Sequence, residues 1–415
     1  MTYLFDRRRF NRVLGLTALS ATVPTFLYKT GAILAGDAQR GIAPLPGLKD
    51  NHVLVLVQLA GGNDGLNTLI PYRDDAYYKA RPKISIAADK VLKLDDRLGL
   101  HPEMVELHRL YKDGGLTIVT NVGYPNPNRS HFASMDIWET ASPSHRIGRT
   151  GWIGRYFDNE CTGVPGAMLG LRLGEQQALT FVGERSRTAT FANPAVLDAS
   201  VSRAAAKGLE KLSDIEPTGI SALDFVQRTK NETRTLAQRL RSAVCDNKSP
   251  IDYPPFALCQ SLKLVAQMIA AEIPTRVFYV THGGFDTHSA QANRHAGLLQ
   301  ELSQALSLFQ RDLKARGHLD RVLLLTFSEF GRRIEENRQA GTDHGTANVM
   351  FLLGGHVNPG IHGTPPDLGH RDEQGDLIFK IDFRAVYAGV LRDWLHADPT
   401  RVLNGKFDPA PVVKI

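Results

Sequence analysis

The chain alternates between apolar runs and short polar motifs, and most of the motifs stand where a run ends. Val53 to Leu59, Leu116 to Val122, Arg276 to Val280, Arg321 to Phe327 and Val349 to Leu353 are mostly continuous apolar stretches rather than alternating ones, the pattern of strands covered on both faces. Between the third and fourth runs, Leu299, Leu302, Leu306, Phe309 and Leu313 recur at spacings of three and four, which predicts a helix with one apolar face. Another helix is expected over 102–112, ahead of the Leu116 strand. Strand, motif, helix and strand in succession make a βαβ unit, so the pattern predicts an α/β protein with a doubly wound, mostly parallel sheet sandwiched by helices. From about residue 150 to about residue 250 the rhythm gives way to short strand-like pieces, Gly-rich turns and polar helices such as 220–243, which reads as an inserted cap.

The motifs are Gly61-Gly62-Asn63-Asp64-Gly65, Phe285-Asp286-Thr287-His288 and Ser328-Glu329-Phe330-Gly331-Arg332, with Thr342-Asp343-His344-Gly345 in the loop before the last run. Ligands bind at the carboxyl ends of strands in open α/β sheets, so carboxylates and imidazoles gathered there predict one composite metal site. Asp64 sits among three glycines and either points its carboxylate into a cleft or caps the next segment. Asp286 and His288, two apart, share a face in an extended stretch and can grip one ion. His295, by contrast, falls in register with the helix stripe and can equally be a core histidine. The adjacent Asp343 and His344 offer a hard oxygen and a borderline nitrogen, a mix that suits zinc or manganese better than calcium. Glu329 can ligate metal while Arg332 holds an anionic ester, or the two can form an internal ion pair. Ser130, within Arg129-Ser130-His131-Phe132, is a nucleophile if a metal lowers its hydroxyl pKa and Arg129 stabilises the anion; otherwise it caps the following helix.

Composition changes the picture mainly by narrowing the partners. A chain of 415 residues, 42% hydrophobic and 22% charged, is ordinary globular material. Its formal charge of +6 is concentrated at the N-terminus, where Arg7, Arg8, Arg9, Arg12 and Lys29 stand against Asp6 for a net +4. The remainder carries only about +2, which removes the support for a nucleic-acid partner. Residues 1–38 join Arg7-Arg8-Arg9-Phe10 to a mostly apolar stretch from Val13 to Tyr28 and small residues around Ala35 to Ala38. They read as a twin-arginine (Tat) export signal, which makes the Tat machinery a partner and the periplasm, or another exported location, the destination. The apolar stretch is short and interrupted by Thr, Ser and Pro, so no stable membrane span is expected after export. Residues 39–50 read as a linker and 51–415 as the main domain. Cys161, Cys245 and Cys259 lack metal-ligand spacing and are odd in number, so they allow at most one disulfide.

Taken together, the leader, Gly-Gly-Asn-Asp-Gly, Arg-Ser-His-Phe followed by Met135-Asp136-Ile137-Trp138-Glu139, Gly-Phe-Asp-Thr-His, Thr-Phe-Ser-Glu-Phe-Gly-Arg and Thr-Asp-His-Gly-Thr-Ala resemble a bacterial family of Tat-exported proteins, domain-of-unknown-function family 1501. That family is similar to the sulfatase and alkaline phosphatase superfamily, and the resemblance runs from about Asn51 onward. It implies an α/β sandwich holding one or two divalent ions, with zinc, manganese and magnesium as the choices. By position, it implies Asp64 as a first-strand ligand, Ser130 as nucleophile, and Asp286 with His288 and Asp343 with His344 as ligand pairs. Where the superfamily carries Asp-His-Gly at a strand end this chain has Ser-Glu-Phe-Gly, which implies Glu329 in that ligand position. Formylglycine chemistry is excluded at the nearest matching core, because Pro125 stands where the oxidised Cys or Ser is required. The expected function is an exported metal-dependent hydrolase of small anionic phosphate or sulfate esters; the alternative is a non-catalytic periplasmic binding protein with the same fold.

Overall fold

The structure, a computed structural model, describes residues 50–161, 168–174, 178–184, 188–191, 240, 242 and 244–414. The expected export signal, nearly all of the linker and most of the helix expected over 220–243 lie outside these residues. The first apolar run forms β1 (Val53–Ala60), and a short helix α1 (Gly65–Thr68) follows. β2 (Leu69–Ile70), β3 (Leu92–Lys93) and β4 (Gly99–Leu100) form a small antiparallel sheet, with α2 (Asp75–Ala80) between β2 and β3 in the chain. Next come α3 (Val105–Lys112), β5 (Leu116–Gly123), α4 (His131–Thr140), α5 (Trp152–Glu160), β6 (Gly170–Leu173) and β7 (Thr188–Phe191). The chain continues through α6 (Ala257–Ala270), β8 (Val277–Gly283), α7 (Gln291–Ala315), β9 (Val322–Phe327) and β10 (Asn348–Gly354). It closes with β11 (Gly360–His362), β12 (Ile381–Asp382), α8 (Phe383–Gly389) and α9 (Pro399–Leu403).

The main sheet runs in the order β11-β5-β10-β9-β1-β8-β6-β7, with β12 also paired to β5. Its pairs are parallel except those of β10, which is antiparallel to β5 and β9. The continuous apolar character of β1 follows from its central place. Val53, Val55, Val57 and Leu59 enter the core under α3, α6 and α7, while Leu54 and Leu56 enter the core under α4, α5 and α8. The α7 stripe is buried as its spacing predicts, with Leu299, Leu302 and Leu306 at 0% exposure. Truncating one such leucine to alanine costs about 2–5 kcal/mol, so this face fixes α7 on the sheet.

Three boundaries differ from the sequence reading. The helix expected over 102–112 begins at Val105, after a turn in which Met104 N–H bonds the His101 carbonyl. The third run continues to Gly283, because Thr281 and His282 still pair with Gln58 and Leu59 of β1 although they are polar. The expected cap contributes to the main sheet: β6 pairs with β8 and β7 with β6. The cysteines at 161, 245 and 259 are free thiols. Among the described residues no helix is long and apolar enough to cross a membrane.

Candidate metal centre

The loops leaving β1, β8 and β9 meet at the carboxyl edge of the sheet and are tied together by one buried side chain. Arg332, 2% exposed, donates to the carbonyls of Gly61, Gly62, Phe285 and Thr342 and to the carboxylate of Asp286. Gly61 and Gly62 turn at φ +118° and +76°, where a Cβ on Gly61 would lie 2.3 Å from the Asp286 nitrogen. Only glycine lets these backbones approach so closely without strain. Ser328 accepts from Asn63 N–H at 3.0 Å and donates to the Leu59 carbonyl at 2.7 Å, joining the first and last of the three loops.

On this framework three imidazole Nε2 atoms face one carboxylate oxygen. Asp286 Oδ1 lies 3.0 Å from His288 Nε2, 3.2 Å from His344 Nε2 and 3.6 Å from His131 Nε2, while the His288 and His344 Nε2 atoms are 2.9 Å apart. The other nitrogen of each ring has its own acceptor. His131 Nδ1 donates to Glu329 at 2.8 Å, His288 Nδ1 to Asp343 at 3.1 Å and His344 Nδ1 to the Arg129 carbonyl at 2.8 Å. With protons on Nδ1, all three Nε2 lone pairs point inward beside an anionic oxygen, an arrangement that repels itself unless a cation sits among the donors. It is also how metal-binding histidines are held, the distal N–H anchored so that tautomer and ring orientation are set.

The donor set fits a divalent transition metal. Bonds of about 2.0–2.1 Å to tetrahedral ligands place those ligands roughly 3.3 Å apart; the separations from Asp286 Oδ1 bracket that value, and the ligand atoms of His131, Asp286 and His344 form one mutually close group, with His288 beside it. Imidazole nitrogen with one carboxylate suits zinc or manganese, whereas magnesium prefers oxygen. Burial works against the charge on Asp286, yet the Arg332 hydrogen bond, with help from His344 and His288, holds its pKa at about 2. The Glu329 hydrogen bond raises the pKa of His131; burial foremost lowers that of His344. Beneath the site lies the buried ring of Phe330, 4.9 Å from the His131 ring and 4.6 Å from that of His344. Asp286, His288 and Asp343 remain open to solvent at 47%, 41% and 54% side-chain exposure.

The structure distributes the residues expected from sequence over three kinds of position. Asp286, His288 and His344 stand together at the centre. Glu329, 3% exposed, and Asp343 lie one hydrogen bond further out, each bonded to an Nδ1, so in this geometry they orient imidazoles. Asp64 is elsewhere: wholly buried, it pairs with Arg81 at 2.6 Å, accepts from Gln291 and caps α1 through the Leu66 and Asn67 N–H groups. The Arg129 guanidinium is drawn to Asp376 and Asp372, away from the anion-stabilising role expected of it, and only its carbonyl reaches the centre. Arg332 likewise turns its donors inward rather than to an ester. Ser130 is exposed at the N-cap position of α4 with no side-chain capping bond, so its hydroxyl is not engaged by the helix.

His131 is the donor that sequence reasoning passed over. It sits beside Ser130 in a motif already singled out, and an imidazole opening the helix after β5 was the available signal. His295 and His282 are buried core residues; the first bonds Asn63 at 3.0 Å and the second the Leu298 carbonyl at 3.1 Å. At the opposite end of β1, Asp50, His52 and His396 form another close group. There Arg276 donates to Asp50 and His52 Nδ1 bonds the Trp394 carbonyl at 2.8 Å, so the group works as an ion-pair latch on the strand's start.

Over residues 51–378 the sequence matches the family described as "Protein of unknown function (DUF1501)". No curated protein matches it. Among solved structures, the zinc complex of the C-terminal periplasmic domain of EcEptC from Escherichia coli is similar at 13% identity and a TM-score of 0.35, over 75% of this chain and 76% of that one. A protein in the alkaline phosphatase superfamily from Vibrio parahaemolyticus gives 9% and 0.37, over 86% and 71%. The phosphonate monoester hydrolase SpPMH from Silicibacter pomeroyi gives 10% and 0.40, over 86% and 75%. Overlaps this low carry no argument about chemistry, which rests on the geometry of the centre.

Proposed function

The chain belongs to the DUF1501 family, a family of unknown function, and we propose that it is a metal-dependent hydrolase of phosphate or sulfate esters, on the geometry of its own centre, and that it is exported through the Tat pathway, on its N-terminal twin-arginine pattern. The observation that carries this reading is the set of three Nε2 lone pairs converging on Asp286 Oδ1, each ring anchored at Nδ1. A divalent ion held by His131, His288, His344 and Asp286 supplies positive charge and Lewis acidity where an anionic ester would sit. The protein's own part is to hold that donor set. Arg332 fixes the three loops, Glu329, Asp343 and the Arg129 carbonyl set the imidazole tautomers, and Phe330 closes the site from below. Ser130 is the nucleophile in this reading. Its hydroxyl is exposed, unengaged by the cap and one residue from His131, at the start of α4 where the helix dipole favours an approaching anion.

The test is metal analysis of the purified exported protein, followed by turnover of a panel of phosphate and sulfate mono- and diesters. Close to one equivalent of zinc or manganese is expected, with turnover lost in Ser130→Ala while the metal is retained. Protein that binds neither ion, or a Ser130→Ala variant at full rate, sinks the proposal. A non-catalytic metal-binding protein is the second reading, favoured by one observation: Arg332 and most of the Arg129 donors face inward, away from any ester. It requires stoichiometric metal and anion binding with no turnover across the panel.

A further inference from the structure

His288 is the most exposed of the three imidazoles, at 41% against 31% for His131 and 22% for His344. The Phe330 ring lies against the other two, so His288 depends most on hydrogen bonds for its orientation. One side chain holds both ends of that residue. Asn337 Nδ2 donates to the His288 carbonyl at 2.8 Å and to Asp343 Oδ1 at 3.1 Å, the same oxygen that accepts from His288 Nδ1. Carbonyl and carboxylate oxygens can only accept, which fixes the amide with its nitrogen towards them. Asn337 Oδ1 in turn accepts from the N–H groups of Gln339 and Gly341, and Asn337 N–H bonds the Gly341 carbonyl, so the amide is itself held by a turn. That turn packs on the His288 backbone, where a Cβ on Gly341 would lie 2.2 Å from the carbonyl carbon. An exposed ring held in its ligating orientation before an ion arrives loses less rotamer freedom on binding it.

We propose that Asn337 is a positioning residue of the centre, which acts through Asp343 to hold His288 Nε2 in the ligating direction. The inference rests on the metal-centre reading above, and zinc affinity of the full-length protein, measured by competition with a chromogenic chelator, tests the two separately. Asn337→Asp is the informative change. It keeps an Oδ acceptor for Gln339 and Gly341, so the turn survives, but it loses both donors and turns an oxygen towards Asp343. Its added negative charge would by itself favour a cation, so weaker zinc binding reports the lost donors. Zinc affinity is expected to fall about tenfold, with the urea midpoint of the zinc-free protein close to wild type. In an Asp343→Ala background the same substitution should cost less than about threefold, because the carboxylate it positions is gone. Three results overturn the role of Asn337 while leaving the metal centre standing: unchanged or tighter zinc binding in Asn337→Asp, an equal loss in both backgrounds, or a fall in zinc-free stability that matches the loss of affinity. Wild-type protein that binds no zinc refutes the metal-centre reading and this inference with it.

Discussion

Replacing Asp64 by asparagine distinguishes a metal ligand from a structural carboxylate at the position where sequence and structure differ most. Asparagine keeps an Oδ1 acceptor for the Leu66 and Asn67 N–H groups, 3.2 and 3.3 Å away, so the cap of α1 survives. What disappears is the charge opposite Arg81, whose Nη1 lies 2.6 Å from Asp64 Oδ2 with both side chains at 0% exposure. Removing one partner of a buried pair leaves the other uncompensated and costs about 3–5 kcal/mol. Arg81 retains bonds to Asn67 at 2.8 Å, the Ile334 carbonyl at 2.8 Å and the Arg333 carbonyl at 2.7 Å. The new amide nitrogen, however, faces two donors, Arg81 Nη1 and the Gln291 side-chain amide, so the upper end of the range, about 5 kcal/mol, is expected. Because Asp64 is not among the converging donors, zinc affinity should change by less than about threefold, under 1 kcal/mol. Asp286→Asn should do the reverse, losing zinc affinity by about 100-fold or more with a smaller change in stability, since its side chain is 47% exposed. Urea unfolding followed by circular dichroism measures the first quantity, and zinc competition with a chromogenic chelator the second. An Asp64→Asn protein that unfolds at the wild-type urea midpoint but releases its zinc would refute this division of roles.

Glu329→Gln and Asp343→Asn each weaken the anchor of one imidazole, so zinc affinity should fall about 10–100-fold in chelator competition; unchanged affinity in both removes the orienting role assigned to these carboxylates. Burial foremost lowers the pKa of His295 to about 3 and of His101 to about 4. Above pH 6.5 both are neutral folded or unfolded, but below it the unfolded chain takes up protons that the folded chain refuses, so stability falls with pH. At pH 5 each should remove about 2 kcal/mol, read from urea midpoints, and His295→Gln should flatten the slope; a flat profile from pH 6.5 to pH 5 in wild type contradicts the neutral burial of these rings. Gly61→Ala places a methyl 2.3 Å from the Asp286 nitrogen at φ +118°, so it should cost at least about 1–3 kcal/mol and lower zinc affinity as well; a wild-type urea midpoint means that the two loops do not approach so closely.

The sheet was legible because burial on both faces writes itself into composition: the alternate residues of β1 enter two different cores, so all its positions but Gln58 near the end are apolar. The same rule explains the misread end of β8, where Thr281 and His282 keep the ladder with β1 but no longer carry the hydropathy signal. It also bears on β6 and β7, four-residue strands with β7 at the sheet edge, whose short pieces do not show from sequence that they join the main sheet rather than a cap. In the centre, the presence of imidazoles and carboxylates at strand ends was visible, but their division of labour was not. Asp64 and Asp286 follow neighbouring strands in similar loops, and only the arrival of Arg81, 17 residues away in sequence, turns the first into a buried ion pair. Glu329, Asp343 and the Arg129 carbonyl all meet an Nδ1, and that choice of nitrogen makes them supports while His131 becomes a donor. A linear sequence records that a histidine and a carboxylate are present; it carries no information about which ring nitrogen the carboxylate reaches. In the proposed centre that one contact separates the residues that would bind an ion from those that would support them, and so the substitutions expected to release it from those expected only to loosen it.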